Sequence, residues 1–351
     1  MTPRVAFYVY PTAFQNPGGG EIQLLKTKQH LEAEGLSVKL FDPWADKLES
    51  FDVLHTFGSV KEALPLMEAA KRVRVKNVLS TICWYSLRAA WGNYGSLKAR
   101  STAVLRHVTK IFCPFLPSKR KRMMDIADVL IPNSESESEQ LERFFHVPQK
   151  KITVIPNAVD AIFLGAKPDS FIKKFGLRDF VLCVGRIEPR KNQLGMIHAL
   201  SGAKVQFVII GDPVKNYPEY YHACLKAAGN NVRFLGGIPH DSEMLRSAYA
   251  SCNTFLLASW LETPSLAALE AGLVGAKVVI TKEGATQEYF RNFAFYVDPK
   301  NTSDILEKTL VAVKRPKDTL LQERIRQNFL WAHTAKKTLE TYHELLHNKT
   351  P

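Results

Sequence analysis

The sequence predicts an α/β protein of two units, each built on a mostly parallel sheet. Apolar, β-branched runs alternate with helical patterns from one end of the chain to the other, which is the mark of strands connected by helical crossovers. Both halves open alike, with a strand, a loop rich in Gly or Pro, and then a helix beginning with polar residues. The length of 351 residues is enough for two cores at roughly 150 residues per domain.

In the first half VAFYVY (5–10), VKLFD (38–42), DVLHTF (52–57), VKNVLSTI (75–82) and DVLIPN (128–133) read as buried strands. FVLCVG (180–185), QFVIIG (206–211), VRFLG (232–236), TFLLAS (254–259) and KVVIT (277–281) do the same in the second half. Between them, 157–178 mixes Gly, Pro and charge and interrupts the rhythm. We therefore expect domains at 1–160 and 161–318, followed by one long helix over 319–351. Leu321, Ile325, Phe329, Ala332 and Leu339 recur along that tail at near-helical spacing.

Composition narrows the function. At 46% hydrophobic and 23% charged the chain is neither disordered nor fibrous. No apolar run approaches the roughly 18–20 residues of a bilayer-spanning helix. The N-terminal run reads as a first strand, with no secretory signal. Cys83, Cys113, Cys183, Cys224 and Cys252 form neither a CxxC pair nor a disulfide framework. A reducing, cytoplasmic setting follows.

The net charge of +13 is unevenly placed. Lys98, Arg100, Arg106, Lys110, Lys119, Arg120, Lys121 and Arg122 fall within 96–124 without one acid among them. Leu97, Val104, Leu105, Val108, Ile111, Phe112, Phe115 and Leu116 interleave with these cations, as on an interfacial helix at an anionic bilayer. Nucleic acid, an anionic membrane or an anionic substrate each answers such a segment, and so does plain solvation with the apolar residues packed inward. No nucleic-acid recognition module surrounds it.

Three constellations carry chemistry. Gly185, Arg186, Arg190 and Lys191 follow the 180–185 strand, and the carboxyl ends of parallel strands are where open α/β sheets bind ligands. A guanidinium fork and an ammonium suit a diphosphate leaving group, although the same cations could simply face water. Next, Glu262 precedes a helix that we expect to start with Thr263 as cap and Pro264 in the first turn. The amides of Ser265 and Leu266 would then be open to an anion. Glu270, deeper in that helix, lies about 10–12 Å from Glu262 at 1.5 Å per residue. That is too far for a paired-carboxylate hydrolase and suits one extended ligand with hydroxyls at both ends. Last, Pro17-Gly18-Gly19-Gly20-Glu21 lets backbone approach a ligand at a helix start, but it is not the G-x-G-x-x-G fingerprint.

Together these residues resemble the group 1 glycosyltransferases, family four. The elements that match are GGGE (18–21), ADVLIPNS (127–134), VIPNAVD (154–160), Gly185-Arg186 with Lys191-Asn192, VRFLG (232–236), the acids Glu262 and Glu270, and the tail from Phe329-Leu330-Trp331 to Tyr342. The resemblance implies the GT-B fold, two Rossmann-like domains with mostly parallel sheets facing across a cleft, the closing helix returning to the first. It implies a retaining hexosyltransferase that needs no metal or other cofactor, with a nucleoside-diphosphate sugar as donor and a glycan or lipid-linked acceptor. By the same resemblance Arg186 and Lys191 clamp the diphosphate, and Glu270 holds the ribose. Glu262 with Thr263, Pro264, Ser265 and Leu266 meets sugar and phosphate, while Gly19 and Gly20 close over the phosphates.

Many members place a histidine after the fourth strand, where this chain has Ser80-Thr81-Ile82-Cys83-Trp84-Tyr85-Ser86. Trp84 and Tyr85 are candidates to meet the sugar or acceptor, and His55 and His107 are candidate substitutes for the imidazole. The run Lys119, Arg120, Lys121, Arg122 is the candidate membrane patch, which would add peripheral attachment at the inner membrane face. A nucleotide-sugar epimerase of the same fold and a basic nucleic-acid-binding protein are the competing readings. The first lacks an obvious base near Cys83-Trp84, and no nucleic-acid partner is expected.

Overall fold

The computed structural model describes residues 2–15, 18–92, 97–112 and 117–347. Pro17, Cys113, Phe115 and Leu116 lie outside the described residues, as do the side chains of Leu97, Lys98 and Lys110. The chain divides into two compact units, Met1–Tyr85 with Val108–Ala158 and Phe329–Pro351, and Ser86–His107 with Val159–Asn328.

The first unit holds β1 (Arg4–Tyr8), β2 (Ser37–Leu40), β3 (Val53–Phe57), β4 (Lys76–Ser80) and β5 (Val129–Ile131). Every pairing is parallel, in the order β2-β1-β3-β4-β5. Successive side chains of a strand point to opposite faces, and both faces of this sheet are covered. Val5, Phe7, Val53 and Val78 join one apolar cluster with Leu24 and Leu31. Ala6, Leu54, Leu79 and Leu130 join the other with Met67, Leu141 and Phe145. This two-sided burial explains why the strands read as continuous apolar runs.

The second unit holds β6 (Val181–Val184), β7 (Phe207–Ile210), β8 (Val232–Phe234), β9 (Thr254–Leu257), β10 (Lys277–Thr281) and β11 (Phe295–Val297). They too are all parallel, in the order β11-β10-β9-β6-β7-β8. Counted from β6, this is the doubly wound 3-2-1-4-5-6 order, whose ligand crevice opens where the order reverses, between β6 and β9.

Three expectations are corrected. The three-residue β11 (Phe295–Val297) is a strand that the sequence reading does not include. The tail is two helices, Leu320–Asn328 and Trp331–His347, with a break at 329–330. Leu321 and Ile325 are buried in the second unit, and Ala335, Thr338 and Tyr342 in the first. Ala332 is exposed, because the apolar stripe changes phase across the break. Finally, Ser86–His107 belongs to the second unit although the sequence places it within the first domain. Among the described residues no helix is long and apolar enough to cross a membrane.

Candidate active site

The reversal point of the second sheet carries the cations. Gly185 follows β6 at φ +150, and a Cβ on its neighbour Gly211 would lie 2.0 Å from the Gly185 carbonyl oxygen, so only glycine fits that close approach. The chain then folds back through the short turn Pro189–Lys191. Asn192 follows in the left-handed region and donates to the carbonyls of Ala258 and Pro299 at 2.9 Å each. Gln193 Nε2 donates to the Arg186 carbonyl at 2.8 Å. These bonds tie the 186–193 turn to the end of β9.

Lys191 Nζ donates to Glu262 Oε1 at 2.8 Å, and Arg190 lies 3.8 Å from the same oxygen. Glu188 receives Arg190 at 3.1 Å and Arg186 at 3.6 Å. Burial pushes the Lys191 ammonium below its usual value. For Glu262, burial is outweighed by Lys191 and then Arg190, which hold its carboxyl below the usual range. Three cations and two carboxylates leave one positive charge at the strand ends. Sequence reasoning placed Arg186 and Lys191 here as diphosphate partners and missed that Lys191 is paired with Glu262 within the protein.

The backbone of Glu262 is held as well. Its N–H donates to Glu283, and its carbonyl accepts from Ala285 at 3.0 Å. Gly284 lies between them at φ +99, where a Cβ would sit 2.0 Å from the Glu262 carbonyl oxygen. The expected cap is corrected. The peptide Thr263-Pro264 is cis, and the helix runs Leu266–Val274 with Ser265 as its cap, accepting from the Ala268 N–H at 3.3 Å. Ser265 takes φ +88, a costly conformation of the kind that gathers at functional sites. Leu266 keeps its place, since the first-turn amides lack intrahelical partners.

Glu270, 3% exposed, points into this helix's packing. His240 Nε2 lies 2.6 Å from Glu270 Oε1, and Tyr249 Oη donates to Oε2 at 2.7 Å. Burial, and then the Glu270 charge, push the Tyr249 hydroxyl well above its ordinary value, so it stays a donor. Neither partner was found from the sequence. The available signal was position, because His240 follows the Gly236-Gly237 end of β8, another strand end on the ligand side. Beside the site, Arg88 in the Leu87–Gly92 helix pairs with Glu283 at 2.8 Å and Asp298 at 2.7 Å. A Cβ on Gly92 would meet the Trp260 ring at 2.1 Å.

In the first unit, Gly19 and Gly20 form the first turn of the Gly19–Ala33 helix, whose Glu21 Oε2 accepts from the Gly18 N–H at 2.8 Å. A Cβ on Gly20 would touch Ile82 at 3.5 Å. Ile82 sits at φ +42 after β4 in a loop organised by the buried Glu137, which accepts from Thr81, Cys83 and Asn133. Trp84 is half-buried, and its Nε1 has no hydrogen-bond partner among the described residues. Tyr85, partly buried, packs on Phe144 and Phe145 and accepts from Arg120 Nη1 at 2.9 Å.

His55 is a core residue, bonded to Tyr342 at 2.6 Å and Ser80 at 2.9 Å. His107 donates to the Ala103 carbonyl at 2.9 Å, a bond within its own helix. Neither is placed as a reacting group. Of the proposed patch, Lys119 is exposed, Arg120 turns inward to Tyr85 and the Ser59 carbonyl, Lys121 pairs with Asp125, and Arg122 pairs with Glu68 at 3.2 Å. The run therefore presents less open charge than its composition suggests.

Residues 169–329 match the model of the glycosyl transferases group 1, and residues 17–162 match that of glycosyltransferase family 4. A D-inositol 3-phosphate glycosyltransferase of Stackebrandtia nassauensis is 24% identical, over 95% of this chain and 88% of its own length. An N-acetylgalactosamine-N,N'-diacetylbacillosaminyl-diphospho-undecaprenol 4-alpha-N-acetylgalactosaminyltransferase of Campylobacter jejuni is 28% identical, over 52% of this chain and 49% of its own. Among solved structures, Anabaena HepE in complex with UDP and glucose aligns over 97% of this chain and 99% of its own, with a TM-score of 0.69 and 18% identity. With a parallel α/β unit under each of the two family matches, the chain belongs to the group 1 glycosyltransferases of the GT-B fold.

Proposed function

We propose that this chain is a retaining hexosyltransferase that takes a sugar from a nucleoside-diphosphate donor to a glycan or lipid-linked acceptor without a metal ion. The observation that carries this reading is the position of Arg186, Arg190 and Lys191. They sit at the reversal point of a doubly wound sheet, with Glu262 beside them and Glu270 one helix turn further in. Cations fixed there answer a diphosphate, and Glu270 answers the ribose. The HepE complex with UDP and the undecaprenol-linked substrate in the Campylobacter enzyme's name support the donor and acceptor classes.

In the reaction the bond between the anomeric carbon and the diphosphate oxygen breaks, and the electron pair passes to the nucleoside diphosphate. Arg186, and the two Lys191 donors not bound to Glu262, stabilise that growing charge. The acceptor hydroxyl attacks on the departing face, and its proton passes to the leaving phosphate oxygen. Half-buried Trp84, whose N–H has no partner among the described residues, is proposed to meet a sugar or acceptor hydroxyl.

The test is a thermal-shift panel of UDP, GDP, ADP and CMP, with NAD as control, repeated in EDTA. A ligand at about 100 times its dissociation constant stabilises by about 2.7 kcal/mol, which in a unit of this size is about 5 °C or more. One nucleoside diphosphate should stand out, and turnover of its sugars should persist in EDTA. A flat panel would overturn the donor site, and loss of turnover in EDTA would overturn metal independence.

A further inference from the structure

Glu270 is a buried carboxylate with no Lys or Arg paired to it among the described residues, and it is held by two donors from one neighbouring segment. Tyr249 belongs to the Glu243–Ser251 helix, and His240 to the turn that starts it. That turn is pinned. Ser242 caps the helix by accepting from Leu245 and donates to the Pro239 carbonyl at 2.7 Å, while Arg246 Nη1 donates to the Asp241 carbonyl at 2.6 Å. Phe163 packs on both rings, with centroids 6.1 Å from His240 and 5.8 Å from Tyr249.

A carboxylate offers about four lone-pair positions over its two oxygens. His240 takes one on Oε1 and Tyr249 one on Oε2, so each oxygen keeps one acceptor position, the number that a pair of neighbouring hydroxyls uses. The two protein donors also set the plane of a side chain that could otherwise rotate. We infer that His240 is a positioning residue for donor binding. Together with Tyr249 it orients Glu270 so that the remaining lone pairs meet the two ribose hydroxyls. This rests on the proposed ribose role of Glu270. His240, unlike Tyr249, is partly open to solvent, so it can be changed without emptying the core.

The experiment titrates UDP, GDP and ADP, each with its 2′,3′-dideoxy form, into the parent, Glu270→Gln, His240→Ala and His240→Gln by calorimetry. If His240 acts through Glu270, His240→Ala weakens the bound ribonucleotide about tenfold, the scale of one hydrogen bond to a charged group. It leaves the dideoxy form unchanged. His240→Gln, whose amide nitrogen reaches about as far as the imidazole Nε2, recovers most of the loss. Equal weakening of both forms by His240→Ala, or no weakening, overturns the inference even where Glu270→Gln still separates the two forms. If Glu270→Gln does not separate them, or if no nucleotide binds the parent, the ribose reading falls and this inference with it.

Discussion

Lys191 and Glu262 stand 71 residues apart and meet as an ion pair at 2.8 Å, with Glu262 buried and Lys191 partly so. Removing one partner of a fully buried pair costs about 3–5 kcal/mol, but here Arg190 lies 3.8 Å from Glu262 and Lys191 is partly exposed, which lowers that cost. Lys191→Ala and Glu262→Ala should each lower the unfolding free energy read from urea titrations by about 1–3 kcal/mol. The double substitution should cost clearly less than the two added together, because the pair is removed as a unit. Strict additivity would show that the two groups do not depend on each other. Glu270 follows a different logic. Its two oxygens are held by hydrogen bonds, one each from His240 and Tyr249, with no Lys or Arg paired to it among the described residues.

The Trp331–His347 helix shows how one element can be legible in kind and misread in extent. Its apolar periodicity is visible, but the break at 329–330 is not, because a two-residue phase change is lost in a long pattern. Once the helix is docked on the first sheet, Tyr342 closes over His55. Burial lowers the His55 imidazole from 6.5 to about 3. Above pH 6.5 both folded and unfolded chains hold it neutral, and its contribution is complete. As pH falls from 6.5 toward 3 the unfolded chain takes a proton that the folded one refuses, so stability is lost by up to about 1.4 kcal/mol per pH unit. In urea titrations between pH 6.5 and 4.5, His55→Gln should be less stable than the parent at neutral pH but should show a shallower loss on acidification. Parallel slopes would mean that His55 does not drive the acid transition. The 266–274 helix shows the reverse case, since its cap is Ser265 at a positive φ and not the Thr263 that residue preferences suggest.

For the whole molecule, the question is where an acceptor could be presented. In the helix Leu97–Phe112, Leu105 is 64% and Phe112 73% exposed, with exposed Arg106 on the same element. Three of the four cations at 119–122 are engaged within the protein. If the chain attaches to membranes, these apolar side chains and not the 119–122 run should carry the attachment. The parent should sediment with phosphatidylglycerol vesicles, and a Leu105→Glu, Phe112→Glu variant should stay in the supernatant. Equal sedimentation of both, or none of the parent, would count against attachment through this helix.

The sequence by itself determined the family, nearly all of the strands and the two-unit α/β plan. Apolar runs, glycines and helix starts express their preferences over a few neighbouring residues, and doubly covered strands leave an unmistakable apolar trace. The tertiary structure decided the partners: Lys191 with Glu262, His240 and Tyr249 with Glu270, Arg120 with Tyr85, and the assignment of 86–107 to the second unit. Electrostatic and hydrogen-bond partnerships act over a few ångströms of space, and no local pattern records which distant segment the fold brings within that reach.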